Sequence, residues 1–375
     1  MFNQWDIQGL RGVGNVELRF DPEHRVRVLF GSNGVGKTKC LEAIAQILLL
    51  TNKSFFEEVG NQGGGHEWSA MSAVTVELGQ IFHRDSSSPW IKRLVGDGFI
   101  NSLHQSPIIF LGASGRSSIN EDNHSLALIG AFSERKKNYF HSILNSIMHK
   151  KMSRLGMADD VRGWFVSRAQ SVNPYQKDAD NRKVEIDTAL QILNAIDGRI
   201  DPNELQVDGS GRVELRIDGE YRELQQLSSG FASLIKLTQA IVSGYACFTN
   251  ESNLRHVAGV VLIDEIESHL HAEWQSKIIP ILKAALPNTT FYIATHSPIV
   301  LSQLADGEAY RLARDDDGVV RSSKISSPNK RIFADVLESA FDVDLNALKR
   351  QGMESDDQSV AKKKLLDLIK REGAR

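Results

Sequence analysis

The stretch Gly31-Ser-Asn-Gly-Val-Gly-Lys-Thr38 decides the fold of this chain. It matches the pattern G-x-x-x-x-G-K-[ST], in which glycines, a lysine and a hydroxyl stand at fixed spacing around a phosphate group. Glycines let backbone N–H groups turn toward phosphate oxygens without a Cβ clash. The stretch Arg25-Val-Arg-Val-Leu-Phe30 predicts a strand before the loop, and apolar residues at helical spacing over 38–50 predict a helix after it. The three together predict a phosphate-binding loop rather than an accidental glycine-rich turn.

The residue types in this phosphate loop have distinct expected roles. Lys37 brings a positive charge to the β- and γ-phosphates, and the hydroxyl of Thr38 is a ligand for Mg²⁺. The positive end of the helix that starts at Lys37 adds to the attraction for anions. We therefore expect ATP and Mg²⁺ as cofactors, and the candidate nucleotide-binding residues of the loop are Gly31, Asn33, Gly34, Gly36, Lys37 and Thr38.

The composition is that of a folded protein of one large domain with an insertion, or of two domains. The chain has 375 residues, 41% of them hydrophobic, and a formal net charge of −3, so no global positive field indicates nucleic acid. Its two cysteines, Cys40 and Cys247, have no metal-ligand spacing and favour a reducing compartment. We find no secretory signal pattern and no apolar run long enough to cross a bilayer. These features predict a cytoplasmic protein without a membrane partner.

Strands and helices alternate along most of the chain, which predicts an α/β fold. We expect a mixed β-sheet flanked by helices on both faces, with an inserted helical subdomain. Single elements are predicted at 73–82, a strand, and at 269–286, a helix that Pro280 bends. Four regions follow from these patterns: an ATPase lobe at 1–122, the helical insertion at 123–200, a second ATPase lobe at 201–325 and a C-terminal helical extension at 326–375.

Two carboxylates follow a buried strand in the segment Gly259-Val-Val-Leu-Ile-Asp-Glu265. A carboxylate at the end of such a strand, beside a phosphate loop, can hold Mg²⁺, and Asp264 is the candidate metal ligand together with Thr38. Glu265 is the candidate catalytic base, because a carboxylate can accept the proton of an attacking water. The alternative is a strand that ends at an acidic cap, and the phosphate loop upstream favours the metal site.

Two further segments are candidates for contact with phosphate. Leu227-Ser-Ser-Gly230 opens a predicted helix over 231–246, where backbone N–H groups and the hydroxyls of Ser228 and Ser229 can bind an anion. His296, in Ala294-Thr-His-Ser-Pro298, can donate to a γ-phosphate. Taken alone, the first segment favours an ordinary N-cap, and the alternative for the second is an ordinary strand-end histidine before a helix that starts with proline.

The order of these motifs, G-S-N-G-V-G-K-T, L-S-S-G, V-L-I-D-E and A-T-H-S-P, resembles ABC-type ATPases of the RecF/SMC/OLD group. Within that group the chain is similar to compact AAA_15/AAA_21 ATPases, including the ATPase subunits of anti-phage defence systems such as Septu and PARIS. The resemblance covers residues 1 to about 305. It implies a head-to-tail dimer, in which the signature residues Ser228, Ser229 and Gly230 complete the ATP site of the other subunit, and it implies catalytic roles for Glu265 and His296.

The chain also departs from the pattern of that group. The position usually held by an aspartate after the Walker B segment is His271, and Ile266 stands where transporters have proline. These two departures concern communication across the dimer rather than nucleotide binding. The glutamine that such ATPases carry between the phosphate loop and the signature is not identifiable, and Gln80 and Gln105 are weak candidates.

The sequence leaves three functions open. The first is a defence ATPase that works as a homodimer or higher homo-oligomer and controls a separate effector, a nuclease or toxin. The second is a RecF-like DNA-repair ATPase, for which basic clusters at 135–137, 149–154 and 362–364 are candidate DNA contacts, although such clusters are more often solvated helix surfaces. The third is a nucleotide-gated scaffold with negligible turnover. After the His296 region only about 70 residues remain, too few for an added nuclease domain of the Toprim type.

Overall fold

A computed structural model describes residues 2–59, 71–83, 102–117, 119, 128–156, 160–331 and 335 of the chain. Within these residues the strands are β1 (Gln4–Leu10), β2 (Gly14–Arg19), β3 (Val26–Phe30), β4 (Ala73–Val76), β5 (Gly79–His83), β6 (Ile108–Leu111), β7 (Ile200–Val207), β8 (Val213–Ile217), β9 (Glu220–Glu223), β10 (Gly259–Ile263), β11 (Thr289–Ala294), β12 (Ala309–Arg314) and β13 (Val320–Ile325). The α-helices are α1 (Lys37–Leu50), α2 (Lys53–Val59), α3 (Phe132–Met148), α4 (Val161–Ser171), α5 (Lys183–Ile196), α6 (Ser229–Phe248), α7 (Ala272–Gln275), α8 (Ile278–Ala285) and α9 (Pro298–Leu301).

Ten of the strands form one mixed sheet in the order β5-β4-β1-β2-β13-β12-β3-β11-β10-β6. The half from β12 to β6 is parallel, and the half with β5, β4, β1 and β2 pairs antiparallel. Strands β3, β10 and β6 are buried on both faces, which is why β10 and β6 read as unbroken apolar runs; β3 is apolar except for the buried Arg27. A second sheet holds β7, β8 and β9. The predicted fold, a mixed sheet flanked by helices, is confirmed.

The central strands supply side chains to a core on each face of the sheet. In β10, Val261 and Ile263 belong to the core that contains α5, α6 and α8, whereas Val260 and Leu262 belong to the core that contains α1. This alternation follows from the two-residue period of a strand. The position of Asp264, which directly follows β10, is therefore set by a strand that is held from both faces.

Helices α3, α4 and α5 lie between β6 and β7 in the chain, in the region predicted as an inserted helical subdomain. Phe165 and Leu193 belong to the same core as Leu234 of helix α6, so α4 and α5 share that core. Phe140 of α3 belongs instead to the core of helix α1. The region is helical as expected, while the division of the chain into domains stays a prediction. Of the predicted C-terminal extension, residues 332–334 and 336–375 lie outside the described residues.

Two predicted elements were wrong in their extent. The single strand expected at 73–82 is two strands, β4 and β5, which turn back at Glu77-Leu78 and pair antiparallel. The single helix expected at 269–286 is two helices, α7 and α8. The break lies at Ser276-Lys277, before Pro280, because Pro280 is in the first turn of α8, where its missing N–H costs no helical hydrogen bond.

Helix α6 corrects the expectation that no apolar run could cross a bilayer. Among the described helices it alone is long and apolar enough for that, over Ser229–Phe248. Its most apolar stretch is 83% buried inside the protein, against β6 and the helices α3, α4 and α5. The length and apolar character of α6 are therefore those of a core helix.

Candidate active site

The carboxyl ends of three neighbouring parallel strands bring the predicted site residues together. The phosphate loop follows β3, Asp264 follows β10 and His296 follows β11, and these strands are adjacent in the order β3-β11-β10. Loops that leave the same edge of a parallel sheet meet there, and ligands bind at that edge. The sheet thereby joins positions that are more than 200 residues apart in the chain.

The phosphate loop has the backbone conformation that its glycines were expected to permit. Gly31, Gly34 and Gly36 have φ angles of 147°, 80° and 110°, which are unfavourable for residues with a Cβ. A Cβ on Gly31 would lie 2.5 Å from the carbonyl oxygen of Leu312, and one on Gly36 would lie 2.7 Å from a methyl group of Val13. Gly36 is also the N-cap of α1. Asn33 and Gly34 are exposed at the tip of the loop, where phosphate can approach.

Lys37 is folded back across the loop. Its side chain is buried, and its Nζ donates to the carbonyl oxygens of Gly31 at 2.8 Å and Ser32 at 3.0 Å. Burial lowers the pKa of Lys37, while the negative charges of Asp264, Glu267 and Glu265 act in the opposite direction. The described hydrogen bonds of the Lys37 ammonium group go to carbonyl oxygens of the loop itself. Phosphate oxygens bound in the loop can therefore replace them without a large movement of the side chain.

Thr38 and Asp264 are in direct contact. The Thr38 Oγ1 lies 3.0 Å from both carboxylate oxygens of Asp264, to which it donates. Burial raises the pKa of Asp264 to about 6, and the hydrogen bond from Thr38 works against that rise. A hydroxyl and a carboxylate are hard oxygen donors of the kind that Mg²⁺ prefers. In the described part of the chain, no three His, Cys, Asp or Glu side chains cluster as a metal site, so a metal here would complete its ligands with phosphate and water.

Glu265 has a left-handed backbone, with φ of 48°. A residue with a Cβ in this region is strained and persists where the surrounding structure over-determines it. Here the carbonyl oxygens of Asp264 and Glu265 accept hydrogen bonds from Arg116 at 2.6 and 2.7 Å. Sequence reasoning missed Arg116, because nothing in a lone Gly-Arg-Ser stretch links it to a motif that lies about 150 residues later.

His296 is exposed beside the phosphate loop. Desolvation lowers its pKa, and so does the positive charge of Lys37. Its backbone N–H donates to the Glu267 Oε1 at 2.5 Å, and the other carboxylate oxygen of Glu267 accepts from the Thr295 hydroxyl at 2.7 Å. Glu267 therefore ties the segment after β10 to the segment after β11, a role that the sequence did not indicate.

The residues of the predicted signature, 228–230, lie at the N-terminus of helix α6. Ser228 caps helix α6 through a 3.5 Å hydrogen bond from the Phe231 N–H, and Ser228 and Ser229 are both exposed. A Cβ on Gly230 would lie 2.7 Å from the Trp274 ring, so this glycine is required by the packing. None of the described hydrogen bonds of these three residues reaches the phosphate loop. These residues form the N-terminus of helix α6, and their role as a signature stays a prediction.

Both departures from the motif pattern have a structural basis. The backbone N–H of Ile266 donates to the Ala294 carbonyl oxygen at 3.3 Å, a bond that a proline could not make. The ring of His271 packs edge-on against Trp274, with 5.2 Å between ring centroids, at the start of α7. The two weak glutamine candidates lie away from the site: Gln80 is in β5, at the far edge of the sheet, and Gln105 precedes β6, at the opposite end of the strands.

Comparisons with known proteins find relatives among ATPases of defence systems. Residues 123–302 match the AAA_21 family model, described as an AAA domain, putative AbiEii toxin, Type IV TA system. The chain is 24% identical over 329 residues to the Septu protein PtuA of Bacillus thuringiensis, which covers 84% of this chain and 76% of that protein. It is 28% identical over 140 residues to the retron Vc95 probable ATPase of Vibrio cholerae, which covers 36% of this chain and 27% of that protein.

The chain resembles ABC-type ATPases of the AAA_21 kind. The resemblance predicted from the motifs is thus confirmed, and with it the general class of an ATPase related to those of defence systems. A structural comparison pairs the chain with an SMC head domain bound to the C-terminal winged-helix domain of ScpA, at a TM-score of 0.46 and 12% identity over 91% of this chain and 99% of that one.

Proposed function

We propose that this ATPase-like chain binds ATP with Mg²⁺, hydrolyses it, and uses the cycle to control a separate effector in anti-phage defence. The observation that carries the proposal is the contact of Thr38 with Asp264 at the edge where the phosphate loop, Glu265 and His296 meet. The resemblance to Septu and retron ATPases supports the setting in defence.

Each residue of the proposed site has a role that its geometry allows. Lys37 leaves the carbonyl oxygens of Gly31 and Ser32 and binds the β- and γ-phosphates. Mg²⁺, when bound, would lie against Thr38 and Asp264 and neutralise charge on the phosphates. Glu265 accepts the proton of the attacking water, and His296 donates to the γ-phosphate.

The exposed position of the signature motif supports a dimer as part of the proposal. Ser228 and Ser229 are exposed hydroxyls at the positive end of a helix of 20 residues, and they form no described bond with the phosphate loop of their own subunit. In a head-to-tail dimer each signature faces the phosphate loop of the other subunit. ATP bound between them is then the contact that closes the dimer.

Within one subunit, the signature helix α6 packs against the segment that follows Glu265. The Ser233 hydroxyl of helix α6 donates to the carbonyl oxygen of Ser268 at 3.0 Å, and Gly230 packs on Trp274. The signature helix is therefore fastened to the segment that follows Glu265. Hydrolysis in one site would be communicated to the signature that serves the other.

The effector is tested by co-purification. We would express this chain with the product of its neighbouring gene and measure capture of that product with ATP, with ADP and with the Glu265→Gln variant, which retains ATP. The proposal expects capture that depends on nucleotide, and no cleavage of DNA or RNA by this chain alone. Nuclease activity of the purified chain in Mg²⁺, lost in Asp264→Ala and absent from a mock purification, would contradict a separate effector. Salt-sensitive DNA binding without capture would favour the DNA-repair alternative.

A further inference from the structure

Arg116 is a fully buried cation next to the candidate active site. It lies in the β6 loop (residues 112–116), and its side chain has 0% relative exposure. Its guanidinium donates to four carbonyl oxygens: Leu111 at 3.4 Å, Gly112 at 2.9 Å, Asp264 at 2.6 Å and Glu265 at 2.7 Å. Burial lowers the pKa of Arg116 to about 10, which leaves it charged at neutral pH.

The position of these carbonyl groups explains why an arginine is needed. The ladder between β6 and β10 ends with a 2.9 Å bond from the Asp264 N–H to the Leu111 carbonyl oxygen. Beyond that point the Asp264 carbonyl oxygen accepts from Arg116, and the Glu265 carbonyl oxygen accepts both from Arg116 and from the Ser268 N–H at 2.9 Å. Buried carbonyl groups require such donors. The planar guanidinium reaches both of them at once, which a lysine ammonium cannot do with the same fixed geometry.

Arg116 bonds the peptide groups on both sides of Glu265, a residue with a strained backbone. Because Glu265 is left-handed, its side-chain direction depends on what holds its two flanking peptide groups. Arg116 holds both, since the carbonyl oxygens of Asp264 and Glu265 lie on either side of the Glu265 Cα. Arg116 thus bonds both peptide groups that flank Glu265, and the Ile266 and Ser268 N–H groups add backbone bonds at the second of them.

The β6 loop is itself held from other elements, so it can act as a rigid support. The Lys236 Nζ of helix α6 donates to the Gly115 carbonyl oxygen at 2.6 Å. The Gly112 and Ser114 N–H groups donate to the carbonyl oxygens of Leu155 and Ser153, each at 2.9 Å. A Cβ on Gly112 would lie 2.1 Å from the Ser153 carbonyl oxygen, so this close approach of the two backbone segments requires glycine at position 112.

We infer that Arg116 is a positioning residue for the proposed hydrolysis: it fixes the turn that aims Asp264 at the metal and Glu265 at the attacking water. This inference rests on the proposed function. Arg116 itself touches no phosphate, metal or water in this role. It acts through the backbone of the two carboxylate residues.

The test compares Arg116→Lys and Arg116→Met with Arg27→Lys in the full-length protein. Arg27 is a matched control: it is 2% exposed and donates to the Phe2 carbonyl oxygen at 2.7 Å, near the start of β3 and at the far end of that strand from the phosphate loop. We would measure kcat, the Mg²⁺ concentration for half-maximal turnover, and the affinity and stoichiometry of ATP binding in EDTA. The last two report the phosphate loop alone.

We expect Arg116→Lys to lower kcat about tenfold and Arg116→Met about 100-fold, with a raised Mg²⁺ requirement, because both carboxylates are misplaced. ATP affinity and stoichiometry in EDTA should match the wild type, and Arg27→Lys should keep wild-type kcat per binding site. The inference is overturned by wild-type kcat in Arg116→Lys, by a fall in kcat equal to the fall in binding stoichiometry, or by the same fall in Arg27→Lys. If Arg116→Met does not fold, Arg116→Lys decides. Absence of turnover in the wild type would refute the proposed function instead.

Discussion

The phosphate edge, where the loop 31–38 meets Asp264, Glu265 and His296, contrasts with the signature corner, where 228–230 packs against 268–274. At the phosphate edge, groups from different strand ends meet inside one subunit: Lys37 is buried against carbonyl oxygens of its own loop, and the two oxygens of Asp264 accept from Thr38. At the signature corner, aromatic rings support two exposed hydroxyls. One region has its partners, while the other presents its polar groups outward.

The energetic cost also differs between the two regions. Asp264 is buried, and this raises the pKa of its carboxyl group to about 6. Near the signature corner the buried carboxylate of Asp197 is paired with Arg199 at 2.6 Å, and its pKa is lowered, first by the hydrogen bond from that arginine. The contrast teaches that burial makes the ionised form of Asp264 costly, whereas an ion pair offsets that cost at Asp197.

The largest effect is expected at the phosphate edge, from Glu265→Gln. An amide cannot accept the proton of the attacking water, so kcat should fall about 1000-fold while ATP affinity stays near that of the wild type. Steady-state phosphate release and equilibrium nucleotide binding measure the two quantities. Glu273→Gln is the control, since Glu273 is an exposed residue of α7 paired with Lys277. Wild-type turnover by Glu265→Gln would remove the base from the proposed site.

A second experiment separates the two regions by mixing variants. Lys37→Ala should lose ATP binding, and Ser229→Arg should retain binding by the monomer but block closure by its bulk. Neither variant should hydrolyse ATP alone. In a head-to-tail dimer, the mixed pair has one site with both lesions and one intact site, so a one-to-one mixture should recover about a quarter of wild-type hydrolysis.

That mixture requires a check that mixed dimers form, for example by tagging one variant and capturing the other in ATP. Mixed dimers without any recovery would contradict a shared site whose two copies turn over independently. Hydrolysis by a strictly monomeric wild-type protein would contradict the shared site altogether.

The smallest expected effect concerns stability and pH. The pKa of Asp264 is raised from 3.8 to about 6 on folding, so the protonated form contributes stability that is full below pH 3.8 and lost as the pH rises through about 6. Asp264→Asn removes the charge and keeps the shape. It should therefore stabilise the nucleotide-free protein at pH 7.5 by about 1–3 kcal/mol and much less at pH 4.5.

Thermal or denaturant unfolding of the two proteins at both pH values measures this difference. Glu273→Gln serves again as the control, because an exposed carboxylate in an ion pair has no comparable desolvation cost. An Asp264→Asn protein less stable than the wild type at pH 7.5 would show that the ionised carboxylate is not the costly form.

The sequence predicted the strands and the helix of the phosphate edge because each of them is local. The loop from Gly31 to Thr38 lies directly between a strand and a helix, and the sequence pattern of each is recognisable by itself. Asp264 directly follows an apolar run that is typical of a buried strand. The extent of 269–286 was less predictable, since its apolar spacing is helical throughout and the break at Ser276-Lys277 depends on packing. Strand β9 was missed because its sequence, Glu-Tyr-Arg-Glu, has no apolar alternation.

The sequence by itself determined the loop, the strand ends and the order of the motifs, since these depend on neighbours within a few residues. Only the tertiary structure decided which distant groups meet: that Thr38 bonds Asp264, that Glu267 holds Thr295 and the His296 N–H, and that Arg116 spans the carbonyl groups of Asp264 and Glu265. The physical reason is that these are contacts between carboxyl ends of parallel strands. Strand order in a sheet is set by the packing of both faces at once, which no local pattern in the chain records.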